Sequence, residues 1–178
     1  MPTTIDGSGT INTTSGKIST TGKFISPNAP IQRVYQQAQS GATHISTNTT
    51  SEQILGVTAT ITPTLASSKI LVHWYSMMLY GGANSWLAAA LYRSLDGGTT
   101  YTAIIPIQGG YPPGPYYGWG YWESGWQPSS LYYFDSPNTT SSVTYQLRYR
   151  TMNGNGGTNY LVHQNGQYYG WILTEIAQ

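Results

Sequence analysis

The stretch Lys69–Tyr80 constrains the fold of this chain more than any other. It reads KILVHWYSMMLY, a near-continuous apolar run rich in β-branched and aromatic residues. A strand points its side chains alternately to two faces. Here both faces are apolar, with Ile70, Val72, Trp74, Met78 and Tyr80 on one and Leu71, Tyr75, Met77 and Leu79 on the other.

Such a run fits either a buried strand or a helical segment. The residue types and the flanking Pro63 and Gly81-Gly82 favour a strand. A strand with two apolar faces has to be covered on both sides. We therefore expect a central strand whose outer face is covered by a partner subunit, and an oligomeric protein.

Several other segments alternate apolar and polar residues, as strands do. They begin near Ile31, Val57 and Val143, and the polar region 40–51 between the first two is expected to be a turn. The segment 86–95 is expected to form a hairpin with 100–107, because Asp96-Gly97-Gly98 tolerates the positive φ of tight turns. About eight to ten short strands and no convincing helix predict an all-β fold, a jelly-roll-like antiparallel β-sandwich.

The first 30 residues differ from the rest of the chain. Single apolar residues stand among Thr, Ser, Gly and Asn, too few to bury a core of their own; they are Ile5, Ile11, Ile18 and Phe24. The segment is either a disordered tail or an extended arm that becomes ordered on a partner, and we favour the arm. This divides the chain into an arm at 1–30 and a β-sandwich domain at 31–178.

The composition narrows the possible partners. Charged residues make up 7% of the chain, against roughly 25% in ordinary soluble domains, which again indicates that much of the surface lies in contacts. The net charge is +1 without a basic patch, so nucleic acid binding is not expected. No apolar run is long enough to span a membrane, and no signal peptide is visible. Cysteine is absent, which excludes disulfides and thiolate metal sites.

Catalytic groups are sparse. The acidic residues are scattered, and only Glu123 and Asp135 are close enough in sequence to suggest a glycosidase-like pair. Asp135 precedes Ser136-Pro137, however, and is interpreted as a turn residue. The histidines His44, His73 and His163 lack metal-binding spacing. We expect no enzyme activity, no cofactor and no metal.

Residues 109–128 form the most unusual segment. Proline and glycine predict a long loop, and the loop carries a dense set of aromatic residues: Tyr111, Tyr116, Tyr117, Trp119, Tyr121, Trp122 and Trp126. Tyr and Trp are enriched at interfaces and binding sites. Three interpretations stay open: the loop seals the sandwich or a trimer axis, packs on a capsid or a neighbouring trimer, or binds a host surface glycan.

One ion pair is predicted near the C-terminus. Glu175 is a carboxylate among apolar neighbours, and Arg148 or Arg150, on the polar face of the strand that begins at Val143, is its expected partner. We assign the pair a structural role, possible also across a subunit interface. The Asn-Thr-Thr triplets at 12–14, 48–50 and 138–140 are interpreted as turns.

Three segments together resemble the knob domains and head-surface proteins of tailed bacteriophages. They are ATITPTLASSKILV at 59–72, YFDSPNTTSSVTYQL at 133–147 and WILTEIA at 171–177. The resemblance covers roughly residues 31–177, and the aromatic loop is not part of it. It implies a trimeric β-sandwich on the virion surface, either as a capsid cement protein or at the tip of a tail fibre or tailspike.

We expect a homotrimeric cement or decoration protein that binds the major capsid protein. Only about 30 residues precede the domain, whereas tail fibres need a longer shaft, and a short arm across neighbouring capsid subunits adds avidity. The protein would be made in the host cytoplasm and reach the virion surface without export. The alternative is a receptor-binding knob that recognises a host surface polysaccharide through loop 109–128, with a free carbohydrate-binding lectin as a more distant possibility.

Overall fold

The computed structural model describes residues 4–5, 11–12, 28–39, 45–80, 87–107, 126–151, 159–162 and 168–178. Within these ranges the chain is all-β, as the sequence predicts, and no helix is present that would be long and apolar enough to span a membrane. The strands are β1 (Thr4–Ile5), β2 (Ile11–Asn12), β3 (Pro30–Gln39), β4 (Ile45–Thr47), β5 (Gln53–Ile61), β6 (Lys69–Tyr80), β7 (Leu87–Ser94), β8 (Thr102–Ile105), β9 (Trp126–Asp135), β10 (Val143–Thr151), β11 (Asn159–Val162) and β12 (Tyr168–Ile176).

The strands form two main antiparallel sheets. The larger sheet has the order β3-β12-β6-β11-β4, and β9 also pairs with β6. The smaller sheet has the order β5-β10-β7-β8. In the predicted arm, β1 and β2 form a separate two-stranded ladder in which Ile5 lies opposite Ile11. Two antiparallel sheets with a shared core are consistent with a β-sandwich.

Four strand pairings, formed by eight strands of the two main sheets, are nested along the chain. The first long strand, β3, pairs with the last, β12, while β5 pairs with β10, β6 with β9 and β7 with β8. The two ends of this nest meet directly, because Asn28 N donates to Ala177 O at 2.9 Å and Ala177 N donates to Ala29 O at 3.0 Å. The arm therefore leaves the domain beside the C-terminal strand.

Strand β6 has the bounds expected from the sequence and lies inside the larger sheet. Trp74 pairs with Trp171 of β12 on one edge and with Leu131 of β9 on the other. The inner side chains Ile70, Val72 and Trp74 have no exposed area, whereas Leu71, His73 and Tyr75 on the outer face are half-buried. The central position is confirmed, and the cover of the outer face by a partner subunit stays a prediction.

The core lies between the two sheets. Its members are apolar side chains that alternate along each strand with residues of the outer faces. They are Leu55, Ala59, Ile61, Ile70, Val72, Trp74, Ala89, Leu91, Val143, Tyr145, Leu147, Tyr149, Tyr169, Trp171 and Leu173. A hydrogen bond from Trp171 Nε1 on β12 to Val57 O on β5, at 3.0 Å, joins the sheets within this core.

Two predicted boundaries differ from the structure. Strand β9 begins at Trp126, inside the segment 109–128 that was expected to be a loop. Pro128 is accommodated because the β6–β9 register shifts there, between the partners Ser129 and Gln127, and a proline fits where a ladder hydrogen bond is missing. The region 40–51, expected to be a turn, contains the short strand β4, which pairs with β11.

Strand β10 is covered on both faces over its first half, contrary to the expectation of one polar, solvated face. Thr144 and Gln146 are buried. Thr144 Oγ1 lies 3.0 Å from Thr60 Oγ1, and Gln146 Oε1 accepts a hydrogen bond from Arg148 Nε at 2.9 Å. Polar side chains that satisfy one another can be buried without a large cost, and sequence alternation does not reveal this.

The predicted hairpin between β7 and β8 is confirmed, and Asp96 organises its turn. The Asp96 carboxylate accepts hydrogen bonds from Ser94 Oγ at 2.6 Å and from Thr100 Oγ1 at 2.5 Å. These hydrogen bonds, first that of Ser94 and then those of Thr100, hold the pKa of Asp96 below its ordinary value. Gly97 and Gly98 have φ values of 75° and 90°, which glycine adopts without strain.

Candidate functional site

The outer face of the larger sheet carries an apolar, aromatic surface, here called the aromatic face. It is formed by β3, β12, β6 and β9 and comprises Tyr35, Leu71, His73, Tyr75, Tyr132, Phe134 and Ile172. The strand registers place these side chains in rows across the sheet. The central row is Tyr35, Ile172, His73 and Tyr132, and Leu71 lies beside Phe134 in the next row.

Three rings of the aromatic face are largely exposed. The exposed fractions are 63% for Tyr35, 62% for Tyr132 and 59% for Phe134. Large apolar side chains scattered singly on a surface need no explanation, but a contiguous patch marks an interaction surface. The half-buried Leu71 and Ile172 join these rings into one such patch.

A ring stack connects β6 with the edge strand β9 on the aromatic face. The imidazole of His73 lies 4.1 Å from the ring centroid of Tyr132, with an angle of 16° between the planes, and Tyr75 lies 5.9 Å away on the same strand. Burial lowers the pKa of His73 below its ordinary value, because partial desolvation disfavours the imidazolium. His73 is thus predisposed to be neutral and to act as a flat, apolar-faced ring.

Polar groups lie toward the edge of this face, on β3. Arg33 Nε donates to Thr174 Oγ1 at 3.2 Å, and Arg33 Nη1 donates to Tyr35 Oη at 3.3 Å. On the adjacent strand, Gly170 has no room for a side chain, since a Cβ there would lie 2.1 Å from Gln36 O. Glycine at this position lets the β3 and β12 backbones approach closely.

The outer face of the smaller sheet carries a cluster of polar side chains that contact one another. Its cluster, here called the polar face, consists of Glu52, Tyr92, Tyr101, Gln146 and Arg148. The Arg148 guanidinium lies 4.0 Å from the Tyr92 ring centroid and 5.9 Å from that of Tyr101. Tyr92 Oη donates to Glu52 Oε2 at 2.6 Å, and Arg148 Nη1 lies 4.0 Å from the same oxygen.

These long side chains cover the sheet beneath them. Ala88 and Ala90 of β7 pair with Arg150 and Arg148 and are buried. Burial, followed by the hydrogen bond to Glu52, raises the pKa of Tyr92. The hydrogen-bonding and charged groups of the polar face therefore contact one another.

A second polar cluster joins the two sheets at one edge. Asp135, at the end of β9, is buried and accepts hydrogen bonds from Arg93 Nη1 at 2.7 Å and from Tyr145 Oη at 2.8 Å. Both donors belong to the smaller sheet. Burial, and then the charge of Asp135, raises the pKa of Tyr145. The interpretation of Asp135 as a turn residue is wrong, since its carboxylate ties the sheets together.

Glu175 on β12 belongs to a third polar cluster, which connects β12 with β3 and with the turn after β5. It does not form the ion pair predicted from the sequence. Its side chain has no exposed area. Its carboxylate accepts hydrogen bonds from Gln32 Nε2 at 2.6 Å and from the backbone of Thr64 and Leu65 at 2.7 Å and 3.1 Å. Burial alone would raise its pKa, but these hydrogen bonds outweigh burial and the pKa lies below the ordinary value.

The two arginines predicted to pair with Glu175 lie on the other sheet. Arg148 belongs to the polar face beside Glu52, and Arg150 Nη1 donates to Thr50 O at 3.4 Å. The prediction failed because the sequence alone does not show that β12 and β10 belong to different sheets. The turn that binds Glu175 lies more than 100 residues away along the chain.

Most of the predicted binding residues lie outside the described residues. This holds for Tyr111, Tyr116, Tyr117, Trp119, Tyr121 and Trp122 in the aromatic loop, and for Ile18 and Phe24 in the arm. It also holds for Glu123, His44 and His163. Trp126 lies in β9, where its backbone pairs with Tyr80. Of the predicted anchors in the arm, Ile5 and Ile11 occupy β1 and β2.

Sequence reasoning missed most of the aromatic face. The segment LYYFD at 131–135 carried the signal, because it places aromatic residues on both faces of one strand. Among the residues that the structure describes, no three His, Cys, Asp or Glu side chains are grouped as a metal ion would require. Comparisons with models of known protein families and with curated proteins find no match for the chain.

Proposed function

We propose that this chain is a non-enzymatic structural protein of a tailed bacteriophage virion. In this proposal it forms a homotrimer that binds the major capsid protein as cement and stabilises the capsid surface. The observation that carries it is the contrast between the two outer faces. Asp135, Glu175 and the polar face connect strands and sheets to one another. The aromatic face is instead a large, exposed, apolar sheet face, which is suited to contact with another protein.

The proposed fold is a jelly roll. In the described part, the long strands pair first with last, second with second-last, and so on inward to the β7–β8 hairpin. A double-sheet jelly roll, which viral capsid and lectin domains use, consists of eight strands wound in this way. The nested order supports the proposal, and it agrees with the fold implied by the resemblance to phage surface proteins.

A mechanical role fits how the described polar groups are used. Asp135, Glu175 and the polar face each connect elements that are distant along the chain. None of these carboxylates stands beside an exposed nucleophile or a second free carboxylate in the described residues, as acid–base chemistry would require. The buried, hydrogen-bonded carboxylates of Asp135 and Glu175 fix one arrangement of strands, which suits a protein that bears mechanical load.

The proposed anchor is the N-terminal arm. It leaves the domain at Asn28, beside the C-terminal strand, and its β1–β2 ladder is separate from both main sheets. An arm of this kind adds contact area and effective concentration on a neighbouring capsid subunit. Deletion of residues 1–27 is expected to abolish incorporation into the virion. Normal incorporation of the shortened protein would exclude the arm as the anchor.

The proposal is tested by gold-antibody labelling of intact phage particles in the electron microscope. Label in many copies over the head is expected for a cement protein. Label at the tail tip would refute the cement role and support the receptor-binding knob, whose glycan binding through loop 109–128 would then be tested by Trp119→Ala and Trp122→Ala. Particles without label would refute a virion role altogether.

A further inference from the structure

We propose that the aromatic face is the surface through which copies of this chain associate with one another. The inference rests on the trimer of the proposed function and deepens it, because it assigns the contact to the outer face of β3, β12, β6 and β9. The contact includes the Tyr132–His73 stack and Phe134 on β9 and β6, and Tyr35 on β3 at the opposite edge of the face.

The size of the face fits a second protein molecule. Four strands spaced about 4.8 Å apart, with about nine residues each at 3.3 Å, give a projected area of roughly 600 Å². A standard protein interface buries about 800 Å² on each partner. The face thus supplies most of one such interface, and it is larger than a small ligand needs.

The distribution of polar groups also fits a protein interface. The apolar side chains Ile172, Leu71, Tyr132 and Phe134 extend from β12 across β6 to β9, while Arg33 lies on the opposite edge strand β3, where it already donates to Thr174 and Tyr35. Apolar centres with polar rims are typical of such contacts, and buried Tyr rings are frequent binding hot spots.

The charges of the face leave room for a second copy at its apolar rows. Arg33 and Lys69 are the described charged residues of the face, and no described acidic side chain lies on it. Described carboxylates lie in the polar face, in the β7–β8 turn and in the buried ties of Asp135 and Glu175. The rows that contain Ile172 and Leu71 therefore offer no complement to a charged protein, whereas the same uncharged rows of neighbouring copies match them when they are turned toward a shared three-fold axis.

The two outer faces provide their own comparison. On the smaller sheet, Thr144 and Gln146 are buried beneath polar side chains of the same chain. On the larger sheet, Tyr35, Tyr132 and Phe134 stay about 60% exposed. Ile54 on the smaller sheet is 58% exposed, close to the 59% of Phe134, but stands outside any comparable row of rings. It is therefore the matched control.

The test measures the mass of the full chain by light scattering and sedimentation equilibrium. Wild type is expected to be a trimer. Tyr132→Arg and Phe134→Arg are expected to weaken association by roughly a hundredfold or more, since each buries a charge at an apolar contact, while Ile54→Arg stays trimeric. Trimers formed equally well by both face variants would overturn this inference and leave the trimer itself intact. A monomeric wild type would instead refute the trimer of the proposed function.

A second measurement guards against variants that fail to fold. The chain lacks cysteine, so Ser130→Cys on the aromatic face and Ser141→Cys in an exposed turn each create one thiol with little change in size. The thiol at 130 is expected to be protected from alkylation at high protein concentration and to react on dilution, while the thiol at 141 reacts throughout. Protection that does not depend on concentration would show that the chain's own arm or loop covers the face. Protection by added polysaccharide alone would show a glycan site. Either result overturns the inference.

Discussion

The replacement of Glu175 by glutamine tests whether the buried carboxylate ties three elements together. The substitution keeps the shape of the side chain, and one amide oxygen still accepts the hydrogen bonds of Thr64 and Leu65. The new amide nitrogen, however, faces Gln32 Nε2, which lies 2.6 Å from the original Oε2 and also donates to Thr62 O. Two donors then oppose each other, or Gln32 turns over and loses its bond to Thr62.

The expected cost follows from these contacts. Hydrogen bonds to a charged group contribute about 1.5–3 kcal/mol each, and neutral ones about 1 kcal/mol, so Glu175→Gln is expected to lower the free energy of unfolding by about 2 kcal/mol. For a chain of this length that corresponds to a decrease in Tm of roughly 4–8 °C. Glu175→Ala removes every acceptor and leaves a cavity, and about 4 kcal/mol is expected.

The pH dependence makes the test specific. The pKa of Glu175 is lowered in the folded protein, so the ionised carboxylate stabilises the fold above the ordinary value of 4.5, and this contribution is lost as the pH falls through the lower, folded value. Urea unfolding of wild type and Glu175→Gln, at one protein concentration, is expected to show a difference near neutral pH that shrinks toward about pH 3. A difference that is absent at neutral pH, or that is constant with pH, would refute the role assigned to the charge.

Three further predictions concern other described contacts. Asp135→Asn is expected to cost about 2 kcal/mol in guanidinium unfolding, less than a fully buried pair because the partner arginine is 21% exposed, and an unchanged midpoint would show that the tie contributes nothing. Gly170→Ala is expected to cost about 2–4 kcal/mol because its Cβ meets the β3 backbone at 2.1 Å, while Gly56→Ala, with nothing within 4 Å, is the neutral control; equal Tm values for the two variants would contradict this reasoning. His73 has a lowered pKa in the folded chain, so protonation opposes folding, and the free energy of unfolding in urea is expected to decrease as the pH drops below about 6.5. His73→Phe should remove that dependence, and a dependence that persists would assign it to another group.

Local sequence patterns were sufficient to predict most strands. The run at β6 and the alternation at β10 depend only on neighbours within each strand, and the β7–β8 hairpin depends on Asp96, Gly97 and Gly98. Part of the shared core followed from the same alternation, since along β10 it assigns Tyr145 and Leu147 to inward positions.

The polar ties were not predictable in this way. Arg93 meets Asp135 and Glu175 meets the Thr64 backbone only because strands far apart in sequence become neighbours in space. The pairing register decides these partners, and a shift of one residue would move each side chain to the other face. The aromatic face was missed for the same reason, because Tyr35 and Tyr132 belong to one row only when β3, β12, β6 and β9 lie side by side.

The nested strand pairing has a consequence for how the chain reaches its folded state. Strand β3 finds its partner β12 only after more than 100 intervening residues have been synthesised, so the contact order of the domain is high. Topologies dominated by such distant pairings fold slowly, because loop closure costs entropy before the contacts form. Within the two main sheets, the β7–β8 hairpin is the most local of the described pairs and is the natural starting point. Until β12 emerges, β6 presents an unpaired apolar edge, so folding of this protein competes with aggregation or strand exchange between nascent chains.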